Sequence, residues 1–174
     1  MLAGDLKALN DSRKEMTQAG VEEAVKMVET TALQKDKVLV IFLPDCHESL
    51  AGIIAGRIRE RYHKPVFILT KAEQGAKGSG RSIENYDMYE EMSKCKALFT
   101  KFGGHKMAAG LSLPEENIEV FRRQMNEKTV LTQEDFCEKV SIDMQMPLQY
   151  VTEELVEELE LLEPLEKEIR NRSL

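Results

Sequence analysis

Lys37-Val-Leu-Val-Ile-Phe-Leu43 and Pro65-Val-Phe-Ile-Leu-Thr70 decide the fold. Both are near-continuous runs of β-branched and apolar residues, the mark of strands buried on both faces. Ser49 to Tyr62, between them, reads as a helix capped by Ser49, with Leu50, Ile53, Ile54 and Ile58 on one stripe. Ala51, Gly52, Ala55 and Gly56 widen that stripe with small residues, so the helix can lie close to a sheet. A strand, a helix and a second strand make a crossover unit whose strands run parallel and whose hand is right.

On the amino-terminal side, Asp5 to about Leu33 carries Leu6, Leu9, Met16, Val21, Val25 and Val28 at helical spacing. Gly20 marks a bend or a break in it. Its place ahead of the first strand makes it a connector from something upstream. Beyond Thr70 the chain turns polar and glycine-rich, and Lys77-Gly-Ser-Gly-Arg-Ser82 reads as a short strand or a turn. Asp87 and Glu90 resemble a capping box that opens a helix to about Phe99. Phe102-Gly-Gly-His105 reads as a tight loop and Ala108 to Leu113 as a strand. Pro114 and Glu115 start a helix that buries Ile118, Phe121 and Met125. After Thr129 the composition becomes acidic, with a strand expected over Val140 to Met144 and a helix over Thr152 to Leu162. The expected class is α/β, a mixed, partly parallel sheet flanked by helices. Its divisions are a connector helix (1–33), an α/β domain (34–130) and an acidic extension (131–174).

Composition excludes disordered and collagen-like classes, with 42% apolar and 32% charged residues in 174. No apolar run reaches membrane-spanning length, and the first residues lack the pattern of a secretion signal, so no membrane partner is expected. Cys46, Cys95 and Cys137 are odd in number and widely spaced, which fits free thiols in a reducing cytoplasm. The net charge of −7 is unevenly spread. Arg57 to Lys106 holds eleven cations against six anions, whereas Leu131 to Leu174 holds four against twelve. A basic middle is compatible with a local anion site, and equally with a mixed-charge solvated surface.

Three segments carry residue types that packing does not need. His47 stands at the carboxyl end of the first strand and ahead of a helix, where ligands sit in open α/β sheets. It either donates to a phosphate or base, or is a loop histidine satisfied by backbone. In the second segment, Gly78 and Gly80 would expose backbone N–H groups, Ser79 and Ser82 add hydroxyls, and Arg81 supplies a fork that matches phosphate. The spacing is not that of a Walker loop. The third is Gly103-Gly104-His105, paired glycines that allow close backbone approach and present the histidine beyond them.

In their order, the strand-end histidine, G-S-G-R-S-I (Gly78 to Ile83) and F-G-G-H-x-M-A-A-G-L (Phe102 to Leu111) resemble the DHH-associated domain of the RecJ family. G-I-I-A-G-R-I (Gly52 to Ile58) and Lys64-Pro65-Val66 add to the likeness, which runs from Leu9 to about Leu165. The resemblance implies the nucleic-acid-binding domain of a single-strand-specific 5′-to-3′ DNA exonuclease of repair and recombination. Single-stranded DNA and an N-terminal catalytic domain of the same polypeptide are the implied partners. Two manganese or magnesium ions would sit in that catalytic domain. No metal ligand, cofactor or Asp-His-His motif is expected in this chain, which alone would be inactive as a nuclease. Carried over by motif, Ser79 and Arg81 would bind the terminal 5′ phosphate. Gly103, Gly104 and His105 would line the cleft near the scissile phosphate, His47 would share that wall, and Tyr86 would stack on a base or pack in the core.

The chain departs from the family pattern around His47, where Cys46, Glu48 and Ser49 replace the usual tryptophan and Pro-Gly. It departs again after Leu165, where the family continues through a Gly-Asn-Pro stretch into an OB-fold-like domain and this sequence reads as truncated. Two other functions fit the motifs: a phosphodiesterase for short oligonucleotides or cyclic dinucleotides, and a non-catalytic nucleic-acid-binding module.

Overall fold

A computed structural model of the chain describes residues 2–137 and 145–161. Two compact units divide at Phe136 and Cys137. The first contains α1 (Leu2–Thr30), β1 (Leu39–Phe42), α2 (Ala51–Tyr62), β2 (Val66–Lys71), β3 (Ala76–Arg81), α3 (Met88–Ser93), β4 (Lys101–His105), β5 (Ala108–Leu113) and α4 (Ile118–Lys128). In the second, Thr152 caps α5 (Glu153–Glu160) by accepting from the Leu155 N–H at 3.2 Å. The strand expected over Val140 to Met144 lies outside the described residues.

The five strands form one sheet in the order β1-β2-β3-β5-β4. Only β1 and β2 are parallel, with Leu39 opposite Val66 and Phe42 opposite Leu69, and α2 makes the crossover between them. The other pairs are antiparallel, so the sheet is mixed. Residue alternation gives it two faces. One presents Val40, Phe67, Leu69, Ala76, Leu111 and Leu113 to Met88, Met92, Phe121 and Met125 of α3 and α4. Phe121 meets Phe67 and Phe99 edge to face, with centroids 5.1 and 5.2 Å apart. The other face gathers Leu39, Ile41, Val66 and Ile68 into one cluster with Ile54 and Ile58 of α2 and Ala24 and Val28 of α1, and α2 lies over β2 and β3.

Several expectations are corrected. The first helix runs unbroken through Gly20. A Cβ there would lie 2.6 Å from Ile54 Cδ1, so the glycine permits close packing of α1 on α2. Ser49 does not cap α2; a short 3-10 turn, Glu48–Leu50, precedes it, capped by the His47 side chain. The helix opened by Asp87 ends at Ser93, and a 3-10 turn follows at Lys96–Leu98. Phe102 to His105 is not a loop but most of an edge strand. Of the strand and turn readings of Lys77 to Ser82, the strand holds for Lys77 to Arg81, in a central position.

The glycines of β3 and β4 answer to different demands. A methyl on Gly80 would press on Met88 Sδ and come within 2.7 Å of the Phe67 ring, inside the core. A methyl on Gly103 would meet nothing within 4 Å. Gly80→Ala is therefore expected to lose about 1–3 kcal/mol through overpacking. Gly103→Ala should stay within about 0.5 kcal/mol of the parent. Urea denaturation of both variants checks this, and equal losses would mean the two faces have been misassigned.

Candidate nucleic-acid interface

The β3–β5–β4 part of the second face is overlain by α2 only along β3, and β5 and β4 lie open beyond it. Register sets its surface in three rows, each running β3, β5, β4: Lys77, Ser112, Lys101; then Ser79, Gly110, Gly103; then Arg81, Ala108, His105. The nine positions are intermediate or exposed in burial. Two of the three in the middle row lack a side chain, so it forms a flat floor with charged or polar groups at either end.

Helix α2 stands along β3 as the wall of this strip. A Cβ built on Gly52 would lie 2.8 Å from Arg81 Nη2 and 3.7 Å from Ser79 Oγ, so guanidinium and hydroxyl converge on one patch of the helix's first turn. Arg81 Nη1 donates to the Gly80 carbonyl at 2.8 Å, which leaves further N–H groups of the fork for a ligand. Arg81 enters none of the ion pairs among the described residues. A hydroxyl beside an unpaired guanidinium suits a phosphate group.

Both implicated histidines present the same nitrogen. The Met107 N–H donates to His105 Nδ1 at 3.3 Å across the hairpin turn, and the Ser49 N–H donates to His47 Nδ1 at 3.2 Å. With Nδ1 accepting, the neutral ring carries its proton on Nε2, free to donate to an oxygen anion. Gly104, at φ 155°, sits where a side chain would strike the Ala108 carbonyl and Ala109, so the turn that carries His105 demands glycine.

Other expected site residues are placed differently. Ser82 is buried, and its hydroxyl donates to the Tyr86 carbonyl at 2.6 Å, so it offers nothing to the surface. Gly78 and Gly80 turn toward Leu69 and Phe67 on the packed face. Because β3 is paired on both sides, its N–H groups are consumed in the ladders and do not form an anion cradle. Tyr86 is buried in the core and does not face the strip; burial raises its phenol far above the usual range.

The strip continues into two adjoining clefts. One of about 410 Å³ lies between the start of α2 and the sheet, lined by Glu48, Ser49, Lys77, Ser79, Lys101 and Ser112 among others. The other, of about 820 Å³, shares Glu48, Lys77, Lys101 and Ser112 and extends to Asp45, His47, Lys71 and Glu73. Lys77 Nζ binds Glu48 Oε2 at 2.9 Å, and this hydrogen bond holds the Glu48 carboxyl below its usual range. Gly52, Lys101, Gly110 and Ser112 were not singled out as site residues, although Lys101 and Ser112 follow by period-2 alternation once β4 and β5 are paired. Among the described residues, no group of three His, Cys, Asp or Glu side chains could hold a metal ion. Among the same residues, no helix is long and apolar enough to cross a membrane. Cys46 and Cys95 are free thiols, as expected.

Comparison with known proteins places the fold in a family. The single-stranded-DNA-specific exonuclease RecJ of Bacillus subtilis is 33% identical over 167 residues, 94% of this chain and 21% of that protein. RecJ of Escherichia coli is 39% identical over 135 residues, 73% of this chain and 23% of that protein. A crystal structure of RecJ in complex with Mn2+ from Thermus thermophilus superposes with a TM-score of 0.76 at 28% identity, covering 94% of this chain and 24% of that one. The chain thus spans roughly a quarter or less of the length of these relatives. The DHHA1 domain model matches residues 35–130, the whole sheet and the helices that pack on it, and the chain belongs to that family.

Proposed function

We propose that this chain is the strand-gripping part of a RecJ-like, metal-dependent exonuclease that degrades single-stranded DNA from its 5′ end in the cytoplasm during repair and recombination. Ser79 and Arg81 seat the terminal 5′ phosphate. The convergence of the two side chains on Gly52 is the observation that supports this reading. A terminal monoester carries about −1.5 to −2 charges near neutral pH, more than an internal diester, and it offers an extra oxygen to an arginine fork. A seat that rewards the end over the interior gives cleavage its polarity.

His105 stands in the same row as Arg81, beyond Ala108, and its Nε2 would donate to a phosphate oxygen near the bond to be cut. Gly103 and Gly110 keep the floor low enough for the backbone of the strand to lie between the two ends. Hydrolysis itself would fall to a manganese- or magnesium-binding domain of the longer relatives, crystal structures of which carry Mn2+ or Mg2+. The contribution of this chain is to hold and orient the strand. By itself it is expected to bind and not to cleave.

The test compares labelled single strands bearing a 5′ phosphate or a 5′ hydroxyl, by fluorescence anisotropy at low salt, where phosphate contacts are strongest. The phosphorylated strand should bind roughly ten- to a hundredfold more tightly, a ratio set by charge-assisted hydrogen bonds of about 1.5–3 kcal/mol. Arg81→Ala should reduce the ratio to near one. Equal binding of both probes by the parent chain would overturn end recognition.

Gly52→Ala separates position from presence. Its new methyl would press on the far end of a flexible side chain, so the fold should lose little, and helix propensity favours alanine by up to about 1 kcal/mol. The thermal midpoint should hold or rise while the 5′-phosphate preference falls at least threefold. A preference left intact would mean that Arg81 does not use this patch when it meets phosphate.

A further inference from the structure

The end seat occupies one row of the bare strip, and the row at the opposite end has no function assigned. We propose that Lys77, Ser112 and Lys101 form a second phosphate subsite, for an internal diester of the same strand, and that Glu48 is its resident competing anion. This rests on the reading of the Arg81 row as the seat of the strand's 5′ end.

Register places the three side chains in line, Lys77 opposite Ser112 on one side and Lys101 opposite it on the other. Neighbouring strands lie roughly 4.8 Å apart, so the two lysine stems rise about 10 Å from each other and can close over the hydroxyl between them. All three residues line both clefts. Lys101 is exposed and enters no ion pair among the described residues. Two ammonium groups over a hydroxyl match a diester, which needs point charges and no bidentate fork.

The separation from the end seat gives the subsite its register on the strand. Lys77 and Arg81 are four residues apart on β3, roughly 13 Å at strand rise. That distance exceeds one nucleotide step, so a mononucleotide fills the Arg81 row alone and a longer strand reaches both. The path from Arg81 past Ser79 and Gly110 to Lys77 continues into the larger cleft, where Lys71 and His47 stand.

Glu48 tunes this end. Its carboxylate holds Lys77 at 2.9 Å, and both side chains are about half exposed. An exposed pair of this kind contributes little to stability, so an entering phosphate can displace the carboxylate cheaply. Each diester must nevertheless compete with it, which lowers affinity for any phosphate that arrives without a second contact.

The experiment uses the 174-residue chain at low salt with two probes, a 5′-phosphorylated hexathymidylate and thymidine 5′-monophosphate, the latter as a competitor. Lys101→Ala should weaken the hexamer roughly three- to tenfold and lower the slope of log affinity against log salt by about 0.7, one phosphate contact on a single strand. Monophosphate competition should be unchanged. Glu48→Gln should tighten the hexamer about threefold and leave the monophosphate alone. The subsite is overturned if Lys77→Ala and Lys101→Ala leave hexamer affinity and salt slope unaltered. It is equally overturned if both variants weaken the two probes alike, or if the parent chain fails to bind the hexamer. Failure of end recognition reads out separately, as equal binding of 5′-phosphate and 5′-hydroxyl hexamers by the parent chain.

Discussion

Strand β3 is the constraint on which the rest depends. It is paired on both sides, and its two faces have opposite needs. Toward the core it must pass so close to Leu69, Phe67 and Met88 that no Cβ fits at Gly78 or Gly80 without displacing them. Toward the open face it carries Lys77, Ser79 and Arg81. The period of two makes these demands inseparable, since a slip of one residue would drive an arginine into the Phe67–Phe121 contact and expose three small residues in its place. Tight packing on one side is thus what fixes the positions of cation and hydroxyl on the other.

Uneven coverage of the second face turns that alternation into a site. Helix α2 packs over β2 and β3 and reaches no farther across the sheet, and at its first turn Gly52 leaves space for the Arg81 head group. Beyond it, β5 and β4 supply a floor of Gly110, Gly103 and Ala108. An uncovered, glycine-rich edge strand is a liability for aggregation, and β4 carries the usual remedies, being short and bearing Lys101 and His105. The same residues that blunt the edge give the floor its charge.

The strand–helix–strand unit was legible because its signals are local: unbroken apolar runs of strand length around a helical stripe. The acidic helix near residue 153 and the Phe121–Met125 stripe were legible for the same reason. The strip was half legible. Ser79, Arg81 and His105 could be named from motif, but Lys77 to Arg81 stayed open between strand and turn, and Phe102 to His105 read as a loop. Glycine-rich segments carry no apolar alternation, and their extended form comes from pairing with residues near in space. His47 showed a second limit. A histidine at a strand end was legible, but its use of Nδ1 to cap the turn ahead of α2 depends on backbone geometry that no residue type announces.

A net charge of −7 does not stand against the phosphate-binding role we propose for the strip. The Debye length is about 8 Å at physiological salt, so acidic groups farther away than that contribute little to the local potential. The larger cleft mixes Lys71, Lys77 and Lys101 with Asp45, Glu48 and Glu73, and Arg81 stands at the other end of the strip. Such mixing favours discrimination over raw affinity. A uniformly cationic groove would hold any stretch of nucleic acid by counterion release. A groove in which carboxylates oppose part of each diester contact rewards the ligand that brings extra charge to a cationic row whose arginine is in no ion pair among the described residues. On this strip that row is Arg81, Ala108 and His105, and the ligand we propose for it is a strand with a phosphorylated end.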